Sequence, residues 1–239
     1  AKDLGVSIPI AGHLISAYAF GVVVGAPILV ALSSKFPPKN ILIVYMILFT
    51  LFNALSIIAP DYNTLLMSRF LAGLPHGAFF GVGTIVAIKL SKKGKEAQAV
   101  SSMFTGLTLA ILLLVPFLTY IGHNTSYKWA FLIVSLLGIF TILALIKFMP
   151  KLKSLKTVTF KEEIEFFLTF KAWHIILIVA IGFGGLFAWF SYIAPLLINV
   201  SKFPPSSISY LMLVAGVGMV VGNILGGYLA DKKDPIKVA

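Results

Sequence analysis

Gly218-Met-Val-Val-Gly222-Asn-Ile-Leu-Gly-Gly-Tyr-Leu-Ala-Asp-Lys232 is the stretch on which the fold turns. Its apolar body stops abruptly at Asp231-Lys232-Lys233-Asp234, the pattern of a helix leaving a membrane. An earlier segment, Gly21-Val-Val-Val-Gly25-Ala-Pro-Ile-Leu-Val-Ala-Leu-Ser-Ser-Lys35, matches it without gaps at a fixed offset. Gly21/Gly218, Val23/Val220, Val24/Val221, Gly25/Gly222, Leu32/Leu229 and Lys35/Lys232 are identical. Both segments run from apolar body to charged exit in the same direction. A same-orientation repeat inside a membrane chain is the mark of a parallel two-half transporter.

Around these copies the chain is apolar. Of its 239 residues 59% are hydrophobic and 11% charged, against about a quarter charged in soluble domains. That excludes a water-soluble globular enzyme and, with 20 phenylalanines, a disordered chain. Seven apolar runs are legible, at about 9–32, 40–59, 64–88, 98–120, 128–149, 172–198 and 206–230. Each reaches the roughly 20 residues a membrane helix needs. None alternates polar and apolar as a transmembrane barrel does, so the fold expected is all-α. Pro27, Pro116 and Pro195 fall inside runs and are expected to kink them.

The connecting segments alternate in charge. Fifteen lysines, in the groups 35–39, 89–95, 147–171 and 232–237, fall on one side, and Lys2, Lys128 and Lys202 on the other. The positive-inside rule makes the rich side cytoplasmic. The net charge of +11 is therefore topology, not a nucleic-acid footprint. An outside start at Ala1 without a signal peptide, and a stop in a charged loop, point to a fragment of a longer chain. The domains expected are a helical bundle over 1–149, a cytoplasmic linker over 150–171, and the start of a second bundle over 172–239. The linker carries Phe160, Ile164, Phe167 and Leu168 at helical spacing opposite Lys161, Glu162, Glu163 and Glu165, an amphipathic interfacial helix or a plain solvated tether.

At these motifs the sequence resembles the major facilitator superfamily. Gly227-Tyr-Leu-Ala-Asp231-Lys232-Lys233 is similar to its G-x-L-a-D-[RK] loop motif. Ser68-Arg69-Phe-Leu-Ala-Gly73 is similar to the R-x-x-x-G motif of its fourth helix. Pro75 to Gly83, with Phe187 to Tyr192, resembles the AraJ-type branch of drug:proton antiporter-like carriers. The resemblance implies that helices 2–8 of twelve are present, working by alternating access in the inner (plasma) membrane. It also implies a monomer that exchanges a small solute, sugar-like or drug-like, for protons. Two departures stand out: Ser34 occupies the aspartate position of the first loop copy, and Leu114-Val115-Pro116 lacks the glycine of the antiporter motif.

All eight carboxylates lie in or beside loops, so the titratable candidates in the membrane are histidines and the single arginine. Arg69 is either an anchor for an anionic group and a switch in gating, or a cation snorkelling outward near Asp61. His76 lies two turns on, on the same face, as a proton relay, a substrate contact, or a histidine satisfied by a carbonyl. Trp189 and Tyr192, in a Gly/Pro-interrupted run, suit a midplane binding site or a lipid-facing belt. Asn223 and Tyr18 are polar groups able to bond substrate or a neighbouring helix. Gly73, Gly77 and Gly81, and Gly218, Gly222 and Gly226, have the spacing of close helix crossings. Gly227, Asp231 and Lys232 form the expected gate, with Asp231 bonding a facing helix N-terminus or a basic side chain.

With no cysteine there are no disulfides, cysteine-ligated metals or thiol nucleophiles. No Walker loop, H-E-x-x-H or dinucleotide fingerprint occurs, so no cofactor is expected and no enzyme. A seven-helix receptor or pump, and a non-transporting subunit, are the competing classes. A retinal pump is disfavoured because 206–230 holds no lysine for a Schiff base.

Overall fold

The computed structural model describes residues 2–33, 35–154, 165–166, 168–204, 207–234 and 238. Its long elements are α1 (Ile8–Ser33), α2 (Pro38–Ile58), α3 (Tyr62–Leu90), α4 (Glu96–Leu109), α5 (Val115–Asn124), α6 (Tyr127–Phe148), α7 (Phe170–Pro195) and α8 (Ile208–Ala230). Ala110–Leu114 joins α4 to α5 as a π-helical turn, and Leu196–Val200 follows α7 as another. Among the described residues six helices are long and apolar enough to cross a membrane. The sixth apolar run corresponds to α7, which is apolar over Phe170–Leu186. The chain is therefore an all-helical polytopic bundle.

Helix ends follow local chemistry. Pro37 is extended and Pro38 opens α2, where a missing N–H costs nothing. Asp61 caps α3 by accepting from the Thr64 amide at 2.8 Å, and Ser126 caps α6. Gly94, at φ +78°, turns the chain between α3 and α4. Lys39 donates to the Ile146 and Met149 carbonyls, at 2.8 and 2.6 Å, and closes the end of α6. Pro116 opens α5 directly after its π turn, and Pro195 ends α7 directly before the other. Both prolines thus sit at register changes, whereas Pro27 and Pro75 lie within unbroken α-helix.

The tightest packing joins α1 to α3. A Cβ at Gly21 would fall on the Phe70 carbonyl, at Gly25 on the Leu74 carbonyl, and at Gly73 on the Tyr18 carbonyl. At Gly77 it would stand 2.8 Å from the Ala26 methyl. These four glycines let two backbones touch. Next to this seam, Ile41, Leu42 and Tyr45 of α2 bury against Ala78, Val82 and Val86 of α3. α6 closes on α2, where Gly138 faces Thr50. α4 touches α3 and lies along α8. α7 is mostly exposed from Trp173 to Trp189.

Candidate functional site

Four helices bring a polar group together inside the α1–α2–α3–α6 bundle. Because Gly73 admits the Tyr18 carbonyl, the Tyr18 ring reaches one turn further along α3. There its hydroxyl meets His76 Nδ1 at 2.6 Å. The Arg69 guanidinium lies over the Tyr18 ring, 4.7 Å from its centroid, and over the Phe131 ring of α6 at 4.9 Å. Its Nη1 donates to Asn53 Oδ1 at 2.8 Å. Asn53, fully buried on α2, spends its Nδ2 on the Phe49 carbonyl, so its oxygen is committed to the arginine. Aromatic faces and an amide oxygen thus stand in for water around a half-buried cation.

Arg69 therefore does not reach outward to Asp61. Asp61 stays with Thr64 at the surface, where the Thr64 amide holds its carboxyl below the usual carboxylate range. His76 is satisfied by a tyrosine hydroxyl, not by a carbonyl. Beyond it, Phe80 lies 5.1 Å from the imidazole and stacks on Phe104 of α4 at 5.4 Å. This aromatic path leads to the second constellation.

That constellation ties α4 to α8. Asp231 accepts from the amides of Ala97 and Gln98, at 2.8 and 2.9 Å. Lys95, the residue at the N-cap position, supplies no side-chain cap of its own. The carboxylate thus fills the positive end of α4 from across the bundle. Of the two partners open to Asp231, the structure supplies the helix N-terminus, while Lys232 turns to the Tyr228 hydroxyl. Gly227 lies so close to α4 that a Cβ would strike Ser101. One turn deeper, Ser101 Oγ donates to the Asn223 carbonyl at 2.6 Å. Asn223 Nδ2 returns bonds to the Ser101 carbonyl and Thr105 Oγ1, at 2.8 and 2.9 Å.

Two cavities flank this seam. One of about 460 Å³ is bounded by Glu96, Ala97, Ser101, Gly226 and Gly227. The other, about 710 Å³, lies between α4, its π turn, α7 and α8. Phe104, Leu107, Ile111, Phe183, Leu186 and Met219 line it, with Thr108 and Asn223 as its polar groups.

Several sequence candidates stand apart. Trp189 is 44% exposed and lines neither cavity. Tyr192 lies in α7, but its side chain is outside the described residues, as are Phe160, Ile164, Phe167 and the acids Glu162 and Glu163 of the linker. Gly81, Gly218, Gly222 and Gly226 meet nothing a Cβ would touch. On α8 the face turned to α4 and its π turn carries Gly216, Asn223 and Gly227, about one residue's rotation away from the four-residue glycine repeat. Asn53, Ser101 and Thr105 escaped the sequence reading. Asn53 had a signal, a lone amide within an apolar run, whereas Ser101 and Thr105 read as ordinary helix hydroxyls.

The model of the Major Facilitator Superfamily matches residues 1–239. The chain belongs to the major facilitator superfamily. Among curated members of the superfamily, the inner membrane transport protein YdhP of Escherichia coli is 41% identical over 97% of the chain and 60% of its own length. A protein of the same species named "Putative transporter AraJ" is 37% identical over the whole chain and 61% of its own length. A Helicobacter pylori protein named "Probable sugar efflux transporter" is 30% identical over 97% of the chain and 59% of its own length. The chain thus spans about three fifths of these superfamily members.

Proposed function

We propose that the protein is a secondary active transporter. It carries a small solute outward across the inner membrane by alternating access, coupled to protons. The observation that carries this reading is the Asp231 bond to the α4 N-terminus at the 460 Å³ cavity, which shares Phe104 and Asn223 with the 710 Å³ cavity. Residues 1–149 form one half and 172–239 begin the other, so α4 against α8 is a contact between halves. In the arrangement described, that contact closes the cytoplasmic side. Breaking two charge-assisted bonds and sliding Gly227 off Ser101 opens it.

The cavity lining supports a neutral compound with a sizeable apolar body, held by Thr108 and Asn223 at its polar end. A sugar-like substrate is the second reading. The names of the Helicobacter pylori relative and of a similar Helicobacter acinonychis protein, 28% identical, favour it.

Coupling falls to His76, since no carboxylate contacts the Arg69 group among the described residues. With its proton on Nε2, neutral His76 accepts from the Tyr18 hydroxyl at Nδ1. Protonation reverses that bond and places a second cation beside Arg69. The repulsion favours the state in which the bundle opens. The full-length transporter in proteoliposomes tests both points. Asp231→Ala should abolish gradient-driven efflux. His76→Gln should lose the proton dependence while retaining substrate exchange. Unchanged transport by Asp231→Ala would sink the gate.

A further inference from the structure

We propose that the corner where α1 and α6 end and α2 begins is a binding site for an anionic phospholipid. The lysine distribution assigns this corner to the cytoplasmic leaflet. A cleft of about 270 Å³ opens between the end of α1 and the start of α2, lined by Leu29, Leu32, Phe36, Asn40 and Val44. Leu32 and Phe36 are 69% and 60% exposed, so its apolar wall faces outward. Lys35 directly precedes Phe36, and Lys39 directly precedes Asn40. Through its bonds to Ile146 and Met149, Lys39 draws in the end of α6, with Lys147 in its last turn and Lys151 just beyond it. Among the described residues none of these four ammonium groups meets a carboxylate. Lys39 bonds carbonyls and Lys147 lies over Phe148.

The positive-inside rule asks only for lysines in the loop; it does not ask for an apolar cleft beneath them. Together they match a ligand with a negative head and a hydrocarbon tail. Phosphatidylglycerol fits that description. A zwitterionic lipid brings an ammonium that the same lysines repel.

The full-length protein in nanodiscs of phosphatidylcholine with a minority of phosphatidylglycerol tests the site, by native mass spectrometry of the lipids retained. Enrichment of phosphatidylglycerol is expected. Lys35→Gln with Lys151→Gln should lower it by about fivefold per lysine removed. Val44→Trp, which fills the cleft without altering charge, should lower it as well. Lys39 is left intact because it also holds α6. Enrichment that survives both changes would overturn the proposal. So would an equal loss on Lys92→Gln with Lys93→Gln at the α3–α4 turn, since the effect would then be diffuse charge. Displacement by soluble glycerol phosphate would likewise refute a role for the cleft.

Discussion

At the scale of the residue, Arg69 shows how a cation in an apolar bundle is held with no carboxylate beside it among the described residues. Two rings and one amide oxygen take the place of a counter-ion. A planar guanidinium stacks on both rings at once, and an ammonium does not. Arg69→Lys should therefore lower transport by about tenfold or more while the protein still folds; initial efflux rates at matched expression check this. Asn53→Leu leaves the guanidinium short of its one oxygen, so it should reproduce much of that loss. Asp61 supports a separate expectation. Its folded carboxyl titrates below the ordinary 3.8, so its cap stabilises fully above that pH and fades as pH falls through the lowered value. The difference in unfolding midpoint between wild type and Asp61→Asn should shrink in acid. Arg69, His76 and Tyr18 were legible as polar or titratable groups in apolar runs. That they meet one another was not, because sequence spacing along α3 says nothing of which face α1 presents.

At the scale of the element, glycine spacing marked two candidate seams, and only the α1–α3 crossing has the close contact. Gly25 and Gly73 face carbonyl oxygens of the opposite helix, while Gly218 meets open space. Gly25→Ala should force α1 off α3 and cost about 1–3 kcal/mol, the range for overpacked cores. Gly218→Ala should stay within about 1 kcal/mol, on the stabilising side, as helix propensity dictates. Thermal unfolding in detergent separates the two. Small-residue spacing names a smooth strip on one helix; it cannot tell whether a partner lies against it. Seven apolar runs were likewise legible to within a few residues. The π turns before Pro116 and after Pro195 were not, because proline announces a disturbance without its form.

At the scale of the whole molecule, the Asp231 motif was readable as a charged helix exit, yet its two possible partners looked alike in sequence. The Lys95 N-cap position, which supplies no cap of its own, decides between them by leaving amides for a distant carboxylate. Asp231→Ala should cost about 1 kcal/mol, as loss of a helix cap does. It should also loosen α4 from α8, which hydrogen exchange at the Ala97 and Gln98 amides would report. That cap also has a history in time. Ala97 and Asp231 are 134 residues apart, and ribosomes add about 5–20 residues per second. The start of α4 therefore waits roughly 7–27 s, uncapped by this carboxylate, before Asp231 has been made. Until then those amides are left to water at the end of the helix.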